Sequence, residues 1–71
     1  MSRRSKKVMW FLQIEGITQN DHGVFIPRMV DWTAKLSYPA RLHQIDAEIK
    51  EKAAAEGLTK WSLVYLHCLG R

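Results

Sequence analysis

The run Val8-Met9-Trp10-Phe11-Leu12-Gln13-Ile14-Glu15-Gly16-Ile17 alternates, and that alternation restricts the fold more than any other feature of the chain. Trp10, Leu12 and Ile14 fall on one side of an extended backbone; Phe11, Gln13 and Glu15 fall on the other. A period of two belongs to a β-strand, whose successive side chains point to opposite faces. One side is apolar and the other turns polar toward its end, which predicts a strand with one face on a core. Any fold must therefore supply a layer that covers Trp10, Leu12 and Ile14.

Thr18-Gln19-Asn20-Asp21-His22-Gly23 breaks the pattern with residues that take positive φ or hydrogen-bond their own backbone. Val24 to Thr33 then resumes an apolar, β-branched run, so the two stretches read as a hairpin. Pro27 has no N–H to give to a ladder, which puts the second strand at an edge with a bulge at the proline. A competing reading starts a helix at Pro27, with Asp31 and Lys35 as an i,i+4 pair.

Residues 40–56 carry the clearest helix marks. Pro39 suits a first helical position. Leu42, Ile45, Ile49 and Ala53 form one narrow apolar stripe. Asp46–Lys50 and Glu48–Lys52 are acid-before-base pairs on a solvated face. Gly57 is a natural terminating glycine, with Leu58 placed for the accompanying apolar contact. In the closing segment Trp61, Leu63, Tyr65, His67 and Leu69 fall on one side, and Ser62, Val64, Leu66 and Cys68 on the other. Its aromatic and branched residues predict a strand that is apolar on both faces.

These elements make a small α+β domain, β-β-α-β, over residues 8–71, with residues 1–7 as a flexible basic tail. An all-antiparallel sheet in the order 2-1-3 with the helix on one face satisfies the connections. Phe11, Phe25, Val64 and Leu66 are then expected on the uncovered face as an interaction surface, unless residues 33–38 fold over it. Trp10 reads as core. Trp32 and Trp61, near strand ends, read as exposed anchors, either interface hot spots or stacking platforms for single-stranded nucleic acid.

A domain this short buries only about 60% of its unfolded surface, and disulfides, metals or oligomers often make up the difference. Cys68 is the only cysteine, so no disulfide can form within the chain. Cys68, His22, His43 and His67 show no paired metal-ligand spacing. Oligomerisation, most simply a homodimer, is the remaining device. Cys68 reads as a small buried hydrophobe, and a lone thiol fits a reducing compartment.

The net charge is +4. Arg3, Arg4, Lys6 and Lys7 carry the whole excess, because from Val8 onward basic and acidic residues balance. The five apolar residues after this basic stretch are too few for the core of an export signal, despite a twin-arginine look, and no stretch approaches a membrane span. The expectation is a cytoplasmic protein with no membrane partner.

Catalytic signatures are missing. The glycines are too scattered for a phosphate-cradling loop, and no nucleophile elbow or zinc-protease pattern occurs. Asp21-His22 reads as a turn, His43 and Asp46 as an exposed helical contact, and His67 as a satisfied core histidine. So small a domain also has difficulty enclosing a small-molecule pocket. The chain is expected to be no enzyme, with no cofactor and no small-molecule substrate.

The segment from Leu36, "LSYPARLHQIDAEIKEKAAAEGLTKWSLVYLHCL", resembles ribbon-helix-helix repressors. Leu42, Ile45 and Ile49 keep that family's spacing from Pro39, and Gly57-Leu58-Thr59-Lys60 is similar to its turn. The resemblance implies a second helix after Thr59, and Thr33, Lys35 and Ser37 as base-reading side chains. It departs from the family in a longer first helix, an early end at Arg71, and residues 8–30 left unaccounted for.

Two functions follow as expectations. The first is a small binding module that occupies a macromolecular surface, an inhibitor or accessory factor such as a phage or mobile element carries. The second is a regulator that binds DNA or RNA, with Arg3, Arg4, Lys6 and Lys7 on phosphates, helped by Arg28, Lys35 or Arg41. Four phosphate contacts would give a log–log salt slope of about −3.6 on duplex DNA.

Overall fold

A computed structural model describes residues 7–70. The element order is β1 (Lys7–Gln19), β2 (Phe25–Ser37), α1 (Leu42–Ala55) and β3 (Lys60–Cys68). The three strands form one antiparallel sheet in the order β2-β1-β3, as the connections required. Both strand runs are longer than the alternation alone marked.

Asn20 closes the hairpin. Its side-chain oxygen accepts the backbone N–H groups of His22 and Val24, each at 2.9 Å. Its own N–H donates to the Val24 carbonyl at 3.0 Å. The ladder then runs unbroken from Gln19 opposite Phe25 to Lys7 opposite Ser37. Pro27 sits within it, opposite Ile17. The outer strand leaves alternate N–H groups pointing away from the sheet, which tolerates a proline without the expected bulge. No helix starts at Pro27, and residues 33–37 belong to β2 and do not fold over the sheet.

The irregularity lies in β3 instead. Tyr65 pairs with Gln13 and Leu63 with Ile14, so Val64 is an extra residue between them. An extra residue reverses the alternation. Leu66 and Cys68 therefore share a face with Leu63 and Trp61, and the strict two-sided division of this strand does not hold.

Helix α1 starts at Leu42, behind Arg41, and not at the proline. Gln44 anchors that end: its Oε1 accepts the Arg41 N–H at 3.3 Å and the Ser37 hydroxyl at 2.7 Å, tying the helix to the end of β2. Leu42 is left 83% exposed, so the apolar stripe reduces to Ile45, Ile49 and Ala53. Asp46 and Lys50 pair at 3.6 Å. Lys52 pairs with Glu56 at 3.9 Å in place of Glu48, and its ammonium lies 5.8 Å from the centre of the Trp32 ring. At the other end the Gly57 N–H donates to Ala54 at 3.2 Å and the Leu58 N–H to Ala53 at 2.9 Å. With Gly57 at φ 71°, this is a complete Schellman ending, as its sequence predicts.

The core lies between α1 and one face of the sheet. Trp10, Leu12 and Ile14 of β1 and Val30 and Leu36 of β2 pack with Ile49, Ala53 and Leu58. Leu66, Cys68, Trp32 and Ala34 sit half-buried at its margin. Trp10 donates its indole N–H to the Ser37 carbonyl at 3.3 Å and stacks on Tyr38. The ribbon-helix-helix arrangement is overturned: Lys60–Cys68 is a strand, and β2 pairs with β1 of the same chain. Among the described residues, no helix is long and apolar enough to cross a membrane.

Candidate functional site

Residues directly opposite one another in an antiparallel ladder point to the same face. Trp10, Leu12 and Ile14 face α1, so Met9, Phe11, Gln13, Glu15 and Ile17 face away from it. The pairings add Lys35, Thr33, Asp31, Met29, Pro27 and Phe25 from β2. They add His67, Tyr65, Ser62 and Lys60 from β3. No element of the described chain covers these side chains.

Three rings gather on this face. Phe11 meets Tyr65 edge-on, with centroids 5.9 Å apart, and Tyr65 stacks on His67 at 6.0 Å. Tyr65 is 50% exposed and His67 is exposed as well. His67 is thus a surface ring and not the core histidine its apolar neighbours suggested. The cause is its register opposite Phe11. Lys35 lies opposite Met9, one step along the face, and Lys7 lies two residues before Met9 on β1. The carboxylates Asp31 and Glu15 lie on the other side of Phe11, toward the hairpin turn. Among the described residues, no ion pair joins Lys7, Lys35 or Lys60 to a carboxylate.

The expected interface residues divide. Phe11 and Phe25 share the uncovered face, and Phe25 is 58% exposed. Val64 is the exposed bulge residue. Leu66 is opposite Leu12 and packs at the core margin, so it belongs to the covered face. Trp32, also opposite Leu12, does the same, beneath the Lys52 ammonium. Trp61 stays exposed but stands on the helix side, opposite Gly16. Tyr65 and His67 take the places assigned to Val64 and Leu66. Their polar atoms, set against the purely apolar Leu66, were the available signal.

Among the expected phosphate contacts, Arg3, Arg4 and Lys6 lie outside the described residues. Lys7 and Lys35 are exposed at the end of the sheet beside Met9, where they line a recess with Glu48 and Glu51 of α1. Arg28 sits opposite Gly16, on the helix side, where it binds Glu56 at 3.0 Å. Arg41 is exposed at the start of α1, away from this face. Thr33 and Lys35, base-reading positions in the ribbon comparison, do face outward; Ser37 is buried.

A groove of about 580 Å3 lies near the hairpin, where Glu15, Ile17, Met29, Lys60 and Trp61 approach one another. That volume reaches the range of small-molecule sites, larger than the size of the domain suggested. Every lining residue is exposed or half-buried, so it is a surface groove and not an enclosed pocket. No three His, Cys, Asp or Glu side chains come together as a metal set among the described residues. Compared with protein-family models, curated proteins and solved structures, the chain matches none at a significant level.

Proposed function

We propose that this protein is a non-enzymatic binding module that works by laying the uncovered face of its sheet on a macromolecular surface, as an inhibitor or accessory factor does. The observation that carries this reading is the ring cluster of Phe11, Tyr65 and His67 on the face opposite α1. Met9 adjoins the rings, and Met29, Ile17 and Phe25 form a second apolar group toward the hairpin, past Gln13, Asp31 and Glu15. Clustered exposed apolar side chains rimmed by polar residues are a mark of interaction surfaces. Aromatic rings are also the side chains that most often anchor interfaces. A second copy of the chain is one such surface, which joins this reading to the homodimer expected of so small a core.

The test compares the wild-type chain with a chain carrying Phe11→Ser and Phe25→Ser. Sedimentation velocity over a hundredfold concentration range reads self-association, and titration with added macromolecules reads other complexes. The substituted chain is expected to keep its circular dichroism spectrum and lose the complexes of the wild type. A substituted chain that retains them all overturns the reading.

A further inference from the structure

We infer that β3 is an assembly edge: it pairs antiparallel with β3 of a second copy of this chain, which joins two three-stranded sheets into one of six strands. The inference deepens the reading of the uncovered face as a working surface. It rests on that reading in one respect, because the seam sets two such faces side by side.

Strand β3 has the side chains of an enclosed strand in the place of an edge strand. The order β2-β1-β3 gives it a neighbour on one side only. None of its nine residues is buried, because α1 packs over β1 and β2. Tyr65 is 50% exposed, and Leu69, just past the strand, is 53% exposed. A strand apolar on both faces is ordinarily one that the rest of its protein encloses. The other edge of the sheet is different. There β2 carries Pro27 and the charged Arg28, Asp31 and Lys35, the devices by which edges resist pairing. In β3 there is no proline, and the one lysine, Lys60, is its first residue.

The backbone of β3 is free to pair where its register is regular. The Leu69 N–H donates to the Met9 carbonyl at 2.8 Å, in the register that sets Cys68 opposite Trp10 and His67 opposite Phe11. Bonded and non-bonded pairs alternate along an antiparallel ladder. Leu66 and Cys68 therefore turn their N–H and C=O groups away from β1, to the open edge. The bulge at Val64 lies before this stretch and leaves Tyr65 to Leu69 straight.

This stretch is complementary to itself. A twofold axis at His67 lets Leu66 exchange both backbone hydrogen bonds with the partner's Cys68, and Cys68 with the partner's Leu66. On the open face it sets the exposed Tyr65 against the partner's Leu69, twice by symmetry, an aromatic–aliphatic cross-strand pair. No lysine, arginine or carboxylate falls within the paired residues, and each Lys60 lies beyond an opposite end of the seam. A parallel arrangement would instead bring the two Lys60 side chains together. Phe11 meets Tyr65 edge-on, so Phe11→Ser with Phe25→Ser removes the ring that Tyr65 rests against and weakens the seam.

The experiment combines sedimentation velocity with amide hydrogen exchange read by NMR, on the full chain at a dilute and a hundredfold higher concentration. The expected result is a dimer at the higher concentration in which the Leu66 and Cys68 amides become protected, while those of Tyr65 and His67 are protected at both. His67→Lys puts two lysines across the axis and should weaken the dimer by about 10- to 100-fold. His67→Thr, a neutral strand former, should retain it. A chain that stays monomeric up to about 1 mM overturns the inference. So does a dimer in which the Leu66 and Cys68 amides exchange as fast as in the dilute chain. Protection that appears only with an added macromolecule overturns the second copy as the occupant. If a dimer without edge protection is abolished by Phe11→Ser with Phe25→Ser, the binding-face reading stands alone. If the edge is protected and that variant keeps every complex, the binding-face reading falls and the edge pairing stands.

Discussion

Two glycines show how differently single residues are constrained here. Gly57 needs its φ of 71°, and a Cβ there would meet nothing within 4 Å. Its cost on substitution is conformational: Gly57→Ala is expected to destabilise by about 1 kcal/mol, the penalty of a left-handed non-glycine residue. Gly16 needs room. A Cβ there would run into the backbone carbonyl of Lys60, with Leu58 Cδ1 at 2.9 Å and the Trp61 Cβ at 3.3 Å. A backbone atom held in a ladder cannot move aside as a side-chain tip can. Gly16→Ala is therefore expected to cost more, about 1–3 kcal/mol, and to lower Tm by several degrees. Urea denaturation of both variants checks the order; an equal loss at the two sites would contradict this account. Leu12 and Ile14 are the fully buried large side chains. Leu12→Ala is expected to cost about 2–5 kcal/mol. A chain of this length has only about 4–10 kcal/mol in all, so that variant should be largely unfolded at 37 °C by circular dichroism.

Among the elements, α1 depends on its ends. Its apolar stripe is three residues long after Leu42 is lost to solvent, so packing alone holds it weakly. Ser37 and Gln44 attach its first turn to β2 through the 2.7 Å hydrogen bond, and Gln44 also satisfies the Arg41 N–H. Gln44→Ala removes both contacts and leaves the buried Ser37 hydroxyl with only the Pro39 carbonyl, at 3.3 Å. The expected loss is about 1–2 kcal/mol, with amide exchange accelerating first in residues 42–46. The ion pairs contribute less. Arg28–Glu56 and Asp46–Lys50 are solvent-exposed, and a double-mutant cycle on either pair should return no more than about 1 kcal/mol. In β3, the bulge at Val64 is the consequential feature. It brings Trp61 to the helix side while leaving Tyr65 and His67 on the open side.

At the scale of the molecule, the two faces of one sheet have different duties. The face toward α1 holds the buried side chains, and the opposite face holds rings that few contacts secure. Substitutions on the open face should therefore leave stability almost unchanged while altering binding. Phe11→Ser with Phe25→Ser is expected to move Tm by only a few degrees, in contrast with Leu12→Ala. A collapse of Tm in the doubly substituted chain would show that the open face is part of the structural core.

The sequence by itself determined the β-β-α-β order, the antiparallel sheet and the covered side of β1. Those features rest on local periodicity and on end signals such as Gly57-Leu58, which neighbouring residues dictate. Trp10, Leu12 and Ile14 were legible as core because an uninterrupted alternation admits one register. Tertiary structure decided what lies on the other face. The single extra residue at Val64 leaves no mark in composition or period, yet it reverses every later assignment in that strand. Leu66 was consequently misplaced, and Tyr65 and His67 were missed; Trp32 was misplaced for another reason, its register opposite Leu12 in β2, which puts it on the covered face. Arg28 was likewise drawn from the candidate phosphate contacts to Glu56, a residue 28 positions away. Pairing register and long-range charge partners are set where strands meet, and a linear pattern records only what each strand does alone.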